Sequence, residues 1–198
     1  MSAEQRLTLR RRLFAFLVAG VGAAAATAIS FAITVYEAIN PKPVPVVAAG
    51  QPIDTGRWII TIREARINTI PPTGTKPFTP KKLVMVDFDL DNRSASTSNV
   101  FSRLFTIDPP VPNLSPPTFY LARDKWIASG LNPDMPERMI AAWEWPPTAP
   151  LPGELRLSIG SQIHKRRDNL YGAPGWFDRD PVAIVPLAVA SEPAGAGR

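Results

Sequence analysis

Residues 83–92 read Leu-Val-Met-Val-Asp-Phe-Asp-Leu-Asp-Asn, and their alternation decides the fold class. Val84, Val86, Phe88 and Leu90 fall on one face of an extended chain, while Met85, Asp87, Asp89 and Asp91 fall on the other. A period of two is the pleat of a half-buried strand. The same pattern recurs outward from this run. Leu155, Leu157 and Ile159 alternate with Glu154, Arg156 and Ser158. Met139, Ala141, Trp143 and Trp145 share a face opposite Ile140, Ala142 and Glu144. Trp58, Ile60 and Ile62 share a face, after which Ala65 and Ile67 continue in the opposite phase. Such a slip inside one strand predicts a β-bulge. Shorter candidates are residues 100–107, 118–126 and 182–189, and Pro186 makes the last an edge strand or a bulge.

Punctuation agrees with this reading. The chain holds 23 prolines in 198 residues, about 12% against a norm of about 5%. Internal prolines break helix hydrogen bonds, which excludes a helical bundle. They cluster as Pro71-Pro72, Pro109-Pro110, Pro116-Pro117 and Pro146-Pro147, between the strand-like runs. About seven short strands separated by such turns predict an all-β sandwich. The chain has no cysteine, which excludes a disulfide scaffold, a thiolate metal site and a cysteine nucleophile. With His164 the single histidine, a histidine metal cluster is excluded as well.

The N-terminus is of another kind. Arg6, Arg10, Arg11 and Arg12 face only Glu4, so much of the net charge of +5 sits in one short segment. A nucleic-acid reading would need a basic stripe on a folded face, and none is expected. From Leu13 to Tyr36 there is no charge, and as a helix this run would extend about 36 Å, enough to cross a bilayer. The rival is a cleaved signal with small residues around Ala26 and Ala28, but the apolar run outlasts a normal signal core. The arginines before the span place the N-terminus in the cytoplasm and the rest outside. Gly20, Ala24 and Ala28 recur every four residues and form a small face suited to helix packing. The expected organisation is a cytoplasmic basic segment 1–12, a transmembrane helix 13–36, a Pro-rich stalk 37–52, a sandwich 53–190 and a disordered tail 191–198.

Several phrases of the domain are familiar. Gly56-Arg57-Trp58-Ile59-Ile60-Thr61-Ile62, the strand 83–92 closing on Asn92 before Arg93-Ser94, the segment 129–134 (SGLNPD) and the strand 138–145 stand in order. Together, over residues 50–190, they resemble the telokin-like, immunoglobulin-like extracytoplasmic domains of bacterial membrane-anchored surface proteins. The resemblance implies a sandwich of about seven strands and an extracytoplasmic address. It implies no catalytic residues, and the lipid-anchoring cysteine of lipoprotein members is missing here.

Candidate chemistry is sparse. Asp87-x-Asp89-x-Asp91 lacks the glycine and glutamate of a calcium loop, with Asn92 and Ser98 in those places, so the carboxylates are read as a solvent face. Ser161, His164 and Asp168 lie close, but no nucleophile elbow surrounds the serine. Trp58, Trp126, Trp143 and Trp145 could stack a sugar if exposed together, whereas buried they are core. Residues 161–181 read as a long connection that concentrates Lys165, Arg166 and Arg167 with Tyr171, Trp176 and Phe177. Basic and aromatic residues together suit a membrane interface or an acidic partner. These residues expect a non-enzymatic, single-pass plasma-membrane protein without cofactor, presenting its domain to a membrane or envelope protein partner. An anchored or secreted carbohydrate-binding module is the alternative, and exposed tryptophans would favour it.

Overall fold

The computed structural model describes residues 3–40, 43–168 and 172–191. The chain divides into two compact units, Met1–Pro43 and Val44–Arg198. The first holds one helix, α1 (Ala3–Ile39), of 37 residues. It begins within the basic segment and outlasts the expected span, ending where the backbone N–H and the side chain of Asn40 both donate to the Tyr36 carbonyl. Thr27 and Thr34 hydroxyls donate to the carbonyls of Ala23 and Ser30, four residues back, which removes their polar cost in an apolar helix. The window Gly22–Ile39 is long and apolar enough to cross a membrane. A signal sequence near an N-terminus satisfies the same criterion of length and hydropathy.

The second unit is a β-sandwich. Its strands are β1 (Pro52–Asp54), β2 (Trp58–Asn68), β3 (Lys82–Asn92), β4 (Phe105–Ile107), β5 (Thr118–Leu121), β6 (Glu137–Trp145), β7 (Glu154–Lys165) and β8 (Gly175–Ser191). One sheet runs β2-β3-β6-β5 with β1 against β2, and the other runs β4-β7-β8. Apart from one parallel pairing these neighbours are antiparallel. The exception joins the sheets, where the end of β8 runs beside β2 with Ala65 opposite Val189.

The alternation in the sequence becomes the core. Trp58, Ile60 and Ile62 of β2, Val84, Val86, Phe88 and Leu90 of β3, and Met139, Ala141, Trp143 and Trp145 of β6 meet Leu155, Leu157 and Ile159 of β7 in one cluster. Phe105 of β4 crosses between the sheets and packs edge-on against Phe88 at 4.9 Å and Trp143 at 6.3 Å. Edge-to-face rings put hydrogens against the π cloud, the favoured arrangement for such a layer. The phase slip in β2 is a bulge, with the register to β3 shifting between Ile62 and Glu64. It returns Ala65 and Ile67 to the core side. Pro186 behaves as an edge residue: Ile184, two positions before it on the same edge of β8, bonds to Pro45 and Val47 rather than to another sheet strand.

Several expectations change. The stalk does not stay free to residue 52, because Val47 N–H donates to the Ile184 carbonyl and Ile184 N–H donates to that of Pro45. Prolines there lack N–H donors but still present carbonyls, so this segment seals the edge of β8. The expected solvent face of β3 is partly buried. Leu83 and Met85 join Tyr120, Ile140 and Ala142 in a second apolar cluster on the outer side. Asp87 is only 4% exposed and lies in ion pairs with Arg66 and, at 3.8 Å, Arg138. Long side chains from the flanking strands fold over the sheet centre. The connection 161–181 is not a loop either. Residues 161–165 pair with 175–179, so β7 and β8 form a hairpin ribbon, with the strands ending at Lys165 and beginning at Gly175. Residues 192–198 of the expected tail lie outside the described residues.

Candidate functional site

The ribbon is built by a second bulge. The register between β7 and β8 shifts between Ile159 and Ser161, leaving Gly160 against Asp180, Pro181 and Val182. Ser161 Oγ donates to the Asp180 carbonyl at 2.9 Å and holds the irregularity closed. The slip changes which side chains face inward. Before it, Leu157 and Ile159 line the core; after it, Gln162 and His164 continue that face, opposite Asp178 and Trp176. Ile163, Lys165 and Phe177 take the other face. The six residues expected to act together are therefore divided.

On the outer face the Lys165 ammonium lies 4.8 Å from the Phe177 ring centroid. Ile163 beside them is 44% exposed. Arg166 and Arg167 follow in the exposed turn. Tyr171 lies outside the described residues. On the inner face the His164 ring packs against Trp176 at 5.2 Å. Ser161, His164 and Asp168 do not converge, since Ser161 and His164 project from opposite faces of β7.

Sequence reading missed the residue that completes the inner face, Arg57. The β1–β2 turn places it. Thr55 closes that turn through hydrogen bonds between its hydroxyl and the Trp58 backbone. Its carbonyl accepts from the Gln162 N–H at 2.7 Å, which docks the turn on the ribbon. Gly56 allows this approach: its φ is +86° and a Cβ there would lie 2.1 Å from the Gln162 carbonyl oxygen. Arg57 then spans two indoles, with its guanidinium carbon 5.7 Å from the Trp58 ring centroid and 5.5 Å from that of Trp176. Burial draws its pKa below the ordinary guanidinium value. A basic residue beside tryptophan in the sequence is the only signal that pointed here, and it does not name the distant Trp176.

At the root of the ribbon lies a cleft of about 180 Å3 lined by Arg103, Ser158, Ser161, Gln162, Asp178 and Arg179, among others. Asp178 accepts from Gln162 Nε2 at 2.8 Å and from Arg103 at 2.9 Å. The Gln162 bond first, then the Arg103 bond, hold its carboxyl below the usual range. Elsewhere the acidic run on β3 is spent on arginines: Asp89 on Arg63, Asp91 on Arg93 and Asp87 on Arg66. Trp58, Trp143 and Trp145 are buried, while Trp126 is 74% exposed beside Ile127. Gly20, Ala24 and Ala28 lie along one exposed side of α1.

No family model matches the sequence. No curated protein matches it either. Among solved structures the chain is similar to an uncharacterised β-sandwich protein from Clostridium difficile, at 14% identity and a TM-score of 0.44, covering 74% of this chain and 95% of that one.

Proposed function

We propose that the chain is a non-enzymatic, single-pass membrane protein whose N-terminus is cytoplasmic and whose sandwich is presented outside the cytoplasm as an immunoglobulin-like interaction module. An accessory role beside a transporter or envelope assembly fits such a design. The immunoglobulin-like reading is supported by strand order. With β2 to β8 taken as A to G, the two sheets run A-B-E-D and C-F-G, the order of the seven-stranded constant-type domain. The telokin-like resemblance of the sequence points the same way.

The observation that carries the interaction reading is the β7–β8 ribbon, which runs on beyond Trp58 and ends in Lys165, Arg166 and Arg167 with aromatic residues on both faces. Its direction supports a membrane-side contact. Residues 45–47 run parallel to β8, so the chain arrives from the side of the unit toward which the ribbon points. Each basic residue near an anionic surface contributes about 1 kcal/mol, enough for three to bias the domain toward one tilt. Burial of Trp58, Trp143 and Trp145 weighs against the alternative of a carbohydrate-binding module, since among these and Trp126 only Trp126 is exposed.

Two measurements test this. Intact chain recovered from cells should need detergent for extraction and should retain residues 13–36 by mass spectrometry; a mature N-terminus near Ile29 refutes the anchor. Reconstituted in bilayers, the ribbon residues 163–177 should exchange amide hydrogens more slowly with phosphatidylglycerol than with phosphatidylcholine. Salt should erase the difference. Equal exchange in both lipids refutes the membrane-side contact.

A further inference from the structure

Arg57 is a half-buried cation held by ring contacts. Its Nε is buried without an acceptor, and its terminal nitrogens make no hydrogen bond or ion pair with the described residues. The adjacent Trp58 Nε1 is a second buried donor without an acceptor. Both ring contacts of the guanidinium are cation–π contacts, which engage the charge and use none of its five N–H donors. None of the described acids of this end bonds Arg57. Asp178 accepts from Arg103 and Gln162, Asp54 Oδ1 accepts from the Gly56 N–H, and Asp91 lies 3.6 Å from Arg93 with its Oδ1 unpartnered, as is Gln162 Oε1.

A partly desolvated cation held between two rings, with its terminal donors open, is an arrangement that suits an oxyanion. It differs from a flexible surface arginine in two ways. The Thr55–Gln162 docking bond fixes the turn that carries it, and the rings restrict its rotamers, so little side-chain entropy is left to lose on binding. The exposed Arg166 and Arg167 of the turn beyond Trp176 add positive potential at the same end of the unit.

We infer that Arg57, held between Trp58 and Trp176, is a binding site for a phosphate group. Two sources share that chemistry, the phosphodiester of an anionic lipid headgroup and free phosphate. The headgroup source rests on the membrane-side reading of the ribbon; the site itself does not.

Full-length chain in dodecyl maltoside should be titrated with inorganic phosphate, and separately with dihexanoyl phosphatidylglycerol, with calorimetry as readout. Phosphate binding should weaken at least tenfold in Arg57→Gln. It should return in part in Arg57→Lys, which keeps the charge and guards against a folding artefact. A triple variant with Lys165, Arg166 and Arg167 changed to Gln should lose much less phosphate affinity than Arg57→Gln, because these residues add only field and no direct bond. Loss of the lipid response in Arg57→Gln identifies the headgroup source. Phosphate binding with no lipid response keeps the site, assigns it to free phosphate and counts against the membrane-side reading. Absence of phosphate binding by the parent at tens of millimolar, or equal binding by parent and Arg57→Gln with both folded, overturns the inference.

Discussion

Replacing Asn92 by Ala should destabilise the sandwich more than any surface change of similar size. Asn92 ends β3, is fully buried and uses its whole side-chain amide. Its Nδ2 donates to the carbonyls of Ser96 and Leu131, each at 2.9 Å. Its Oδ1 accepts from the Ser94 N–H at 3.0 Å and from Ser94 Oγ at 2.6 Å. These four bonds tie the β3–β4 connection to the segment before β6. Each bond contributes about 1 kcal/mol net, so their loss totals about 4 kcal/mol. Some is recovered, because the Leu131 carbonyl keeps the Ser98 N–H and Ser94 Oγ keeps the Ser96 carbonyl. The Ser94 N–H is left stranded. The expected loss is about 3–4 kcal/mol. Asn92→Asp should cost at least as much, since a carboxylate cannot donate to two carbonyls. Denaturant unfolding of the detergent-solubilised chain, followed by tryptophan fluorescence, measures this from the midpoint at constant slope. Amide exchange at Ser94 and Ser98 should quicken in parallel. A loss under about 1 kcal/mol for Asn92→Ala would show that the network is replaced by water and does not brace the two loops.

Trp143→Ala should cost about 3–5 kcal/mol in the same assay, as a ring only 3% exposed leaves a cavity against Phe105, while Trp126→Ala should change stability by less than about 0.5 kcal/mol. Gly56→Ala should cost about 2–4 kcal/mol, combining left-handed strain with the clash against the Gln162 carbonyl; an unshifted melt would mean that the turn does not dock on the ribbon. Asp178→Asn tests the carboxylate at the ribbon root. Its lowered folded pKa means that its contribution is complete above the unfolded value near 3.8 and fades as pH falls through the folded one. The parent should therefore melt above Asp178→Asn at pH 7, and the gap should close below about pH 4. A constant gap would place the difference elsewhere.

Reading the sequence recovered the inward faces of β2, β3, β6 and β7 because each has one dominant buried side. There the pleat writes burial into every second residue, and the bulge in β2 appears as a break in that rhythm. Pro186 was legible for a related reason, since a missing N–H matters only where a neighbouring strand needs it. Residues 161–165 and 175–179 carry no such rhythm. Each face of the ribbon is half exposed, so side chains of either polarity are tolerated, and pairing is set by the opposite strand and by the Thr55 carbonyl. Likewise β1, three residues long, is too short to show a period.

Local sequence thus determined the strand faces, the β class, the apolar N-terminal helix and the candidate basic–aromatic group. Tertiary closure decided which of those residues share a face. The bulge at Gly160 sent Lys165 and Phe177 to one side and His164 and Trp176 to the other. Arg66 and Arg138 turned Asp87 from a solvent residue into a buried ion. Arg57 acquired its second indole only when a turn more than a hundred positions away in the chain met the ribbon. Periodicity records the burial of a strand against one core, whereas a site assembled from two distant segments depends on the register between them. That register is a property of the folded sheets, and neither segment encodes it alone.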